Sequence, residues 1–289
     1  MTSILKIPSL GRLSRLSEET SNISEETSNN GRASLDREIS VVNKFETPEK
    51  VREAFYNLST SPPAPANEQA FLSRLLREIS APDNFPELVR AILKSTKELP
   101  KIAEQSYSHR NGFKKLVIAS AAGYKLRLHI YNPVHSYQEN IHNHRWPFAS
   151  TVLLGSLSQQ FFEVDTSSTN RLGVLPVKEY IYSPNGAAGS YHTDYVKNSY
   201  LKSTAKTTTY EGEFYYLDSK RLHRVCKGDK GGVTLMVTSK PSKRECSLYA
   251  EHDFFSKTHL SHLEEALKVG KVEELLKTVS KLKKPKVRG

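Results

Sequence analysis

Residues 113–250 predict a mainly β fold, a jelly-roll-like antiparallel β-barrel, flanked by N-terminal and C-terminal α-helices. Three observations lead there. Tyr124, Leu126, Leu128 and Ile130 alternate with Lys125, Arg127, His129 and Tyr131, the period of two that fits a half-buried strand. Val233, Leu235 and Val237 alternate in the same way with Thr234, Met236 and Thr238. Further strand candidates at 113–119, 149–154, 157–164, 177–182, 206–210 and 213–217 follow one another with no helical pattern between them, as in a sandwich or barrel.

The elements fall in order along the chain. Residues 17–30 repeat SEETSNI as SEETSNN, a polar and acidic tract with no apolar spacing that could offset the entropy of ordering it. Residues 1–45 are therefore expected to be a disordered, low-complexity segment. Residues 46–107 form an expected helical part that packs on the barrel. There Phe71, Leu72, Leu75, Leu76 and Ile79 make one apolar stripe that Asn67 would cap, and Leu88, Val89, Ile92 and Leu93 make a second, with Pro86 at its first helical position. The barrel is expected over 108–250. Within it, Gly155 is read as a turn between two strands, and 184–205, rich in Gly, Ser, Thr and Asn, as a loop that serves as a lid or insertion. Residues 251–289 complete the chain with helices and a basic tail. Ser261-His262-Leu263-Glu264 has the form of a capping box leading into Ala266 and Leu267, and Val272, Leu275, Leu276, Val279 and Leu282 form the last stripe.

Composition removes several functional classes. No apolar run has the length a membrane-spanning helix needs. Two cysteines outside any CxxC pair give no disulfide scaffold, which points to a reducing, cytoplasmic setting. The net charge of +11 is concentrated in residues 268–289, where eight Lys and Arg face two Glu. A terminal run of that kind is ordinarily a solvated tail, so the charge argues against a nucleic-acid face and leaves a small-molecule substrate as the partner.

The chemistry begins at His142-Asn143-His144. Two histidines two apart on a strand project to one face, close enough to share a metal. Ile141 and this pair precede Leu153-Leu154-Gly155-Ser156-Leu157. Further on, the stretch from Tyr215 to Val225 ends a strand at Leu222-His223-Arg224-Val225, and one sheet would bring His223 beside the pair. Tyr182, Tyr191 and Tyr216 are candidates to line the cavity. Arg145 is read as facing away into a structural ion pair, Trp146 and Phe148 as packing residues, and Cys226 as a strand-end cysteine or a thiol behind the ligands. His129, His135 and His192 have no spacing that ties them to the site.

These residues resemble the cupin superfamily and, within it, cysteine dioxygenase and related thiol dioxygenases. IHNH, LLGSL and the Tyr215-to-LHRV segment stand in the same order over residues 107–250. The resemblance implies a cupin/jelly-roll β-barrel, a metal site of His142, His144 and His223, Fe(II) as cofactor and O2 as co-substrate. Zn, Ni, Mn and Co suit the same ligands. It further implies oxidation of a small thiol or amino-acid-like substrate, its carboxylate gripped by Arg110 as a catalytic-site arginine. The chain departs from the family where a Glu would follow the second His, since Phe148 and Ala149 stand there; this favours a three-His site. Ala149 and Thr238 occupy the places of the family's cross-linked Cys and Tyr, and Met236 that of a catalytic His, which speaks against cysteine itself. The alternative implied by these losses is a non-enzymatic cupin-fold binding or interaction protein.

Overall fold

The computed structural model describes residues 45–109, 112–131, 139–167, 173–184, 191–226, 231–251 and 265–281. Nearly all of the expected disordered segment, together with Arg110, His135, the Ser261–Glu264 capping box and Leu282, lies outside those residues.

Four helices precede the strands: α1 (Pro48–Thr60), α2 (Glu68–Ser80), α3 (Asn84–Lys94) and α4 (Glu98–Glu104). Thr47 caps α1, its hydroxyl accepting from the Lys50 backbone N–H at 3.3 Å. The apolar stripes are buried as their spacing predicts: Phe71, Leu72, Leu75, Leu76 and Ile79 on α2, and Leu88, Val89 and Ile92 on α3. Two details differ. Asn67 stands before α2 without a side-chain capping bond, and Pro86 is the third residue of α3, where its missing N–H is equally harmless because the first turn has no internal acceptor.

The strands are β1 (Tyr107–His109), β2 (Phe113–Ala121), β3 (Tyr124–Tyr131), β4 (Ile141–His142), β5 (Phe148–Val164), β6 (Val174–Pro184), β7 (Tyr191–Tyr210), β8 (Phe214–Leu217), β9 (Leu222–Cys226), β10 (Gly232–Thr238), β11 (Cys246–Ala250) and β12 (Glu265–Ala266). α5 (Val269–Ser280) follows and packs on α3 and α4 through Val272, Leu275, Leu276 and Val279. The fold is a mainly β, jelly-roll barrel with helices at both ends of the chain. One sheet runs β12-β1-β2-β3-β10-β5, with β8 on the other side of β5. The second half of β5 pairs with β7, and the ladder continues through β6, β11, β4 and β9 back to β5, closing a circuit of antiparallel strands. Closure leaves no exposed edge along that circuit.

β5 corrects one expectation. It is a single 17-residue strand that passes from the first sheet into the second, and Gly155 bends it rather than turning the chain. Gly155 has φ +78°, and a Cβ there would stand 2.7 Å from the Gly231 carbonyl oxygen. Only glycine meets both demands. β7 corrects another. Residues 191–205, expected as loop, are the first three quarters of a 20-residue strand that pairs with β6 along 191–202 and with β5 along 201–210. The ladder with β6 takes up the backbone along one flank of that stretch, and Thr, Tyr and Val at 193, 195 and 196 suit a pleated surface. A third correction concerns Ala266, which pairs antiparallel with β1 as part of β12 instead of opening a helix.

The first sheet has two unlike faces. Opposed residues in an antiparallel pair project to the same side. Leu116, Leu128 and Leu235 form one row, fully buried, on the side where α1, α2 and α4 pack. Phe55 of α1 stacks on Tyr124 with ring centroids 5.7 Å apart. The next row contains Val117, Arg127, Met236, Ser150 and Tyr215 and faces the barrel interior.

Candidate metal centre and its cavity

His142 ends β4 and His223 lies directly opposite it on β9. His144 is two residues further on, and Asn143 between them is buried and fixes the segment to β11. Its backbone N–H donates to the Ser247 carbonyl at 3.1 Å, and its side-chain oxygen accepts from the Ser247 N–H at 2.8 Å. With the middle residue tied down in this way, both flanking imidazoles are left to face His223.

The three rings meet. Centroids lie 4.9 Å apart for His142–His144, 4.9 Å for His142–His223 and 5.1 Å for His144–His223. One ligand atom from each ring falls within 4.8 Å of the others, so the group can hold a metal ion. Two rings are oriented from behind. His142 Nδ1–H donates to the Asn140 carbonyl at 2.8 Å, and His223 Nδ1–H donates to Gln159 Oε1 at 2.9 Å. Those bonds select the tautomers whose Nε2 lone pairs face inward. His144 Nε2 and His223 Nε2 stand 2.9 Å apart. Two nitrogens at that distance need a shared proton or a common cation, and a divalent metal at the point where the rings converge satisfies all three. The donor set fits such an ion: three imidazoles, with no carboxylate converging on them among the described residues.

Electrostatics favour the uncharged form of two of the ligands. Burial, followed by the charges of His142, His223, Arg127 and His129, holds His144 well below the ordinary histidine pKa, and burial with His142 does the same for His223. Phe148 packs edge-on against His144 at 5.0 Å, and Phe161 lies along His223 at 6.3 Å. Glu139, buried in the cavity wall, accepts from the Val225 N–H at 3.0 Å and so ties the strand that carries His223 to the segment leading into His142.

The triad opens on a cavity of about 180 Å³. Of the residues read from sequence, His142, His144, His223, Arg145, Trp146, Phe148, Tyr182 and Met236 line it. Arg145 therefore faces the cavity, with its guanidinium 5.0 Å from the centroid of the Trp146 ring, a correction to the outward position expected of it. It sits in a loop after β4, where strand alternation no longer fixes the side. Tyr216 lies outside the lining and Cys226 ends β9, also outside it. Arg110 and the Tyr191 side chain are beyond the described residues. Sequence reading missed Lys115, Arg127, His129, Glu139, Gln159 and Tyr215. The available signal was parity: Arg127, His129 and Tyr131 share one face of β3, and Gln159 shares its parity with Leu157 and Phe161. Tyr215 is half-buried, and the desolvation of its hydroxyl pushes its pKa up to about 12.

Fold and site together define a jelly-roll β-barrel with a three-histidine group suited to a metal. No protein-family model matches the chain, and no curated protein matches it. Among solved structures, it is similar to a hydroquinone 1,2-dioxygenase in complex with Cd2+ and 4-hydroxybenzonitrile, at 16% identity over 50% of this chain and 72% of that one, TM-score 0.29. It is also similar to an RmlC-like cupin from Shewanella frigidimarina, at 13% identity over 48% and 87% of the two chains, TM-score 0.27. A conserved protein with a double-stranded β-helix domain from Klebsiella pneumoniae gives 12% identity over 52% and 95%, TM-score 0.28. At these levels no residue role passes from those proteins to this chain. Among the described residues, no helix is long and apolar enough to cross a membrane.

Proposed function

We propose that this protein is a non-haem Fe(II)-dependent cupin oxygenase, of the thiol-dioxygenase type, acting with O2 on a small thiol or amino-acid-like substrate. The observation that carries the reading is the convergence of three imidazoles, two of them oriented through Nδ1, on one point beside a cavity. Divalent iron at that point supplies open coordination positions and the redox capacity that O2 chemistry requires. The chain's own residues do the rest. His142, His144 and His223 hold the ion, Gln159 and Asn140 fix the rings, and Phe148 and Phe161 exclude water from their flanks. The cations of the cavity wall bind an acid group and so orient the substrate. The resemblance gives that grip to Arg110.

Met236, in the cavity where the resemblance calls for a catalytic His, favours a second reading, a cupin-fold binding protein without turnover. O2 uptake by the iron-loaded protein with a panel of mercapto-acids and amino acids separates the two. Sustained uptake with substrate-dependent product supports the oxygenase. Saturable binding with no uptake across the panel supports the binder.

A further inference from the structure

We propose that the wall formed by β1, β2 and β3 is a subsite for a planar carboxylic acid, with Arg127 as its anion-binding residue. The proposal deepens the oxygenase reading by naming the substrate class, and it moves the grip on the acid from Arg110 to Arg127.

The register places the residues. Tyr107 faces Lys115, Lys115 faces His129, His109 faces Phe113, and Phe113 faces Tyr131. All six line the cavity with Arg127. The rings run along the sheet: Tyr107 stacks on His109 at 5.9 Å, His109 on Phe113 at 4.5 Å and 12°, and His129 meets Phe113 tilted by 32° at 4.7 Å. Rings whose faces are taken up by one another offer their edges to a ligand. Ring edges carry the positive end of the quadrupole and favour the π-face of a flat molecule or an oxyanion.

Charge points the same way. Among the described lining residues, Lys115, Arg127 and Arg145 are cationic and Glu139 is the one carboxylate. Arg127 is buried, and its guanidinium lies over the Trp146 ring, 4.6 Å from the centroid; Trp146 in turn lies 6.4 Å from His144. A planar fork held in place beside the metal ligands matches a carboxylate in two-point contact. His129 adds an independent sign of a ligand, because its Nε2 is buried with no hydrogen-bond partner. A group of that kind, on the wall of a cavity, is satisfied by a polar atom of whatever the cavity receives.

Trp146 is the sole tryptophan of the chain, so its fluorescence reports this wall directly and needs neither metal nor turnover. The test titrates benzoate, benzamide and cyclohexanecarboxylate into the full chain. Benzoate is expected to shift the emission saturably, benzamide to bind roughly tenfold more weakly for want of charge, and cyclohexanecarboxylate to fall between them for want of planarity. Arg127→Gln is expected to lower benzoate affinity roughly tenfold, and Arg127→Lys to recover part of it. Equal binding of benzamide and benzoate, no saturable response to benzoate, or an unchanged Arg127→Gln overturns the anion site. Cyclohexanecarboxylate binding as tightly as benzoate overturns the planar requirement. Should Arg127→Gln fail to fold by circular dichroism, the benzoate-to-benzamide ratio of the unmodified protein decides. His142→Ala separates this proposal from the metal reading: a benzoate response that survives loss of metal supports the subsite on its own, and its disappearance counts against the subsite as drawn.

Discussion

The two faces of the first sheet are built from the same strands and do opposite work. On one side Leu116, Leu128 and Leu235 meet helices and exclude water completely. On the other, Lys115, Arg127, His129 and Tyr131 surround a cavity, and Arg127 is buried although it is charged. The first face provides stability through apolar area removed from water. The second gives some of that up to hold charge and imidazole where a ligand can reach them. In an ordinary half-solvated sheet the polar parity looks outward. Here it looks into the barrel, because helices cover the apolar side and the closed circuit of strands encloses the other.

Changes on each face should therefore separate stability from binding. Leu235→Ala, on the helix side, is expected to cost about 2–5 kcal/mol in denaturant unfolding while metal binding by the surviving folded protein is unaltered. A loss below 1 kcal/mol would mean the helices do not seal that face. Next in size is Glu98→Gln in the helical layer. Glu98 receives Arg52 at 2.9 Å and Lys101 at 2.9 Å. Burial pushes its carboxyl up, but the hydrogen bonds and charges of Arg52 and Lys101 outweigh that and hold it below the ordinary 4.5. The substitution is expected to cost about 1–3 kcal/mol near neutral pH. Because the folded pKa is lowered, that contribution is present above pH 4.5 and disappears as pH falls through the folded value. Unfolding curves of the two proteins should then converge in acid, and a gap that widens there would contradict the assignment. Smallest is Lys115→Met on the cavity side, which loses one hydrogen bond to Tyr107. About 1 kcal/mol or less is expected in thermal unfolding, with a clear weakening of benzoate binding. A large stability loss without a binding change would make this face structural as well.

How much of this was legible depends on what each residue's neighbours fix. The alternation of β3 and β10 could be read because every second residue has one kind of surroundings. The triad was legible for the same reason: His142 and His144 share a strand parity, and His223 follows a run of strand residues. β7 was not, since Ser, Thr, Lys and Asn form a strand only when partner strands distant in sequence, β6 for its first part and β5 for its second, complete their backbone bonds. Gly155 read as a turn because positive φ has the same sequence signal in a turn and in a strand bend. The cavity wall stayed hidden because parity assigns Arg127 and His129 to one face without saying that the barrel closes over it. Gln159 was hidden by its partner, which lies on β9 rather than nearby in sequence.

The central claim is that His142, His144 and His223 hold one divalent metal, and metal analysis of the purified full chain tests it most directly. Elemental analysis after loading with Fe(II) without oxygen should give close to one ion per chain. Each His→Ala variant should lose it, and Gln159→Leu should bind roughly 10–100-fold more weakly because His223 is no longer oriented. Full retention of iron in all three alanine variants would contradict the account.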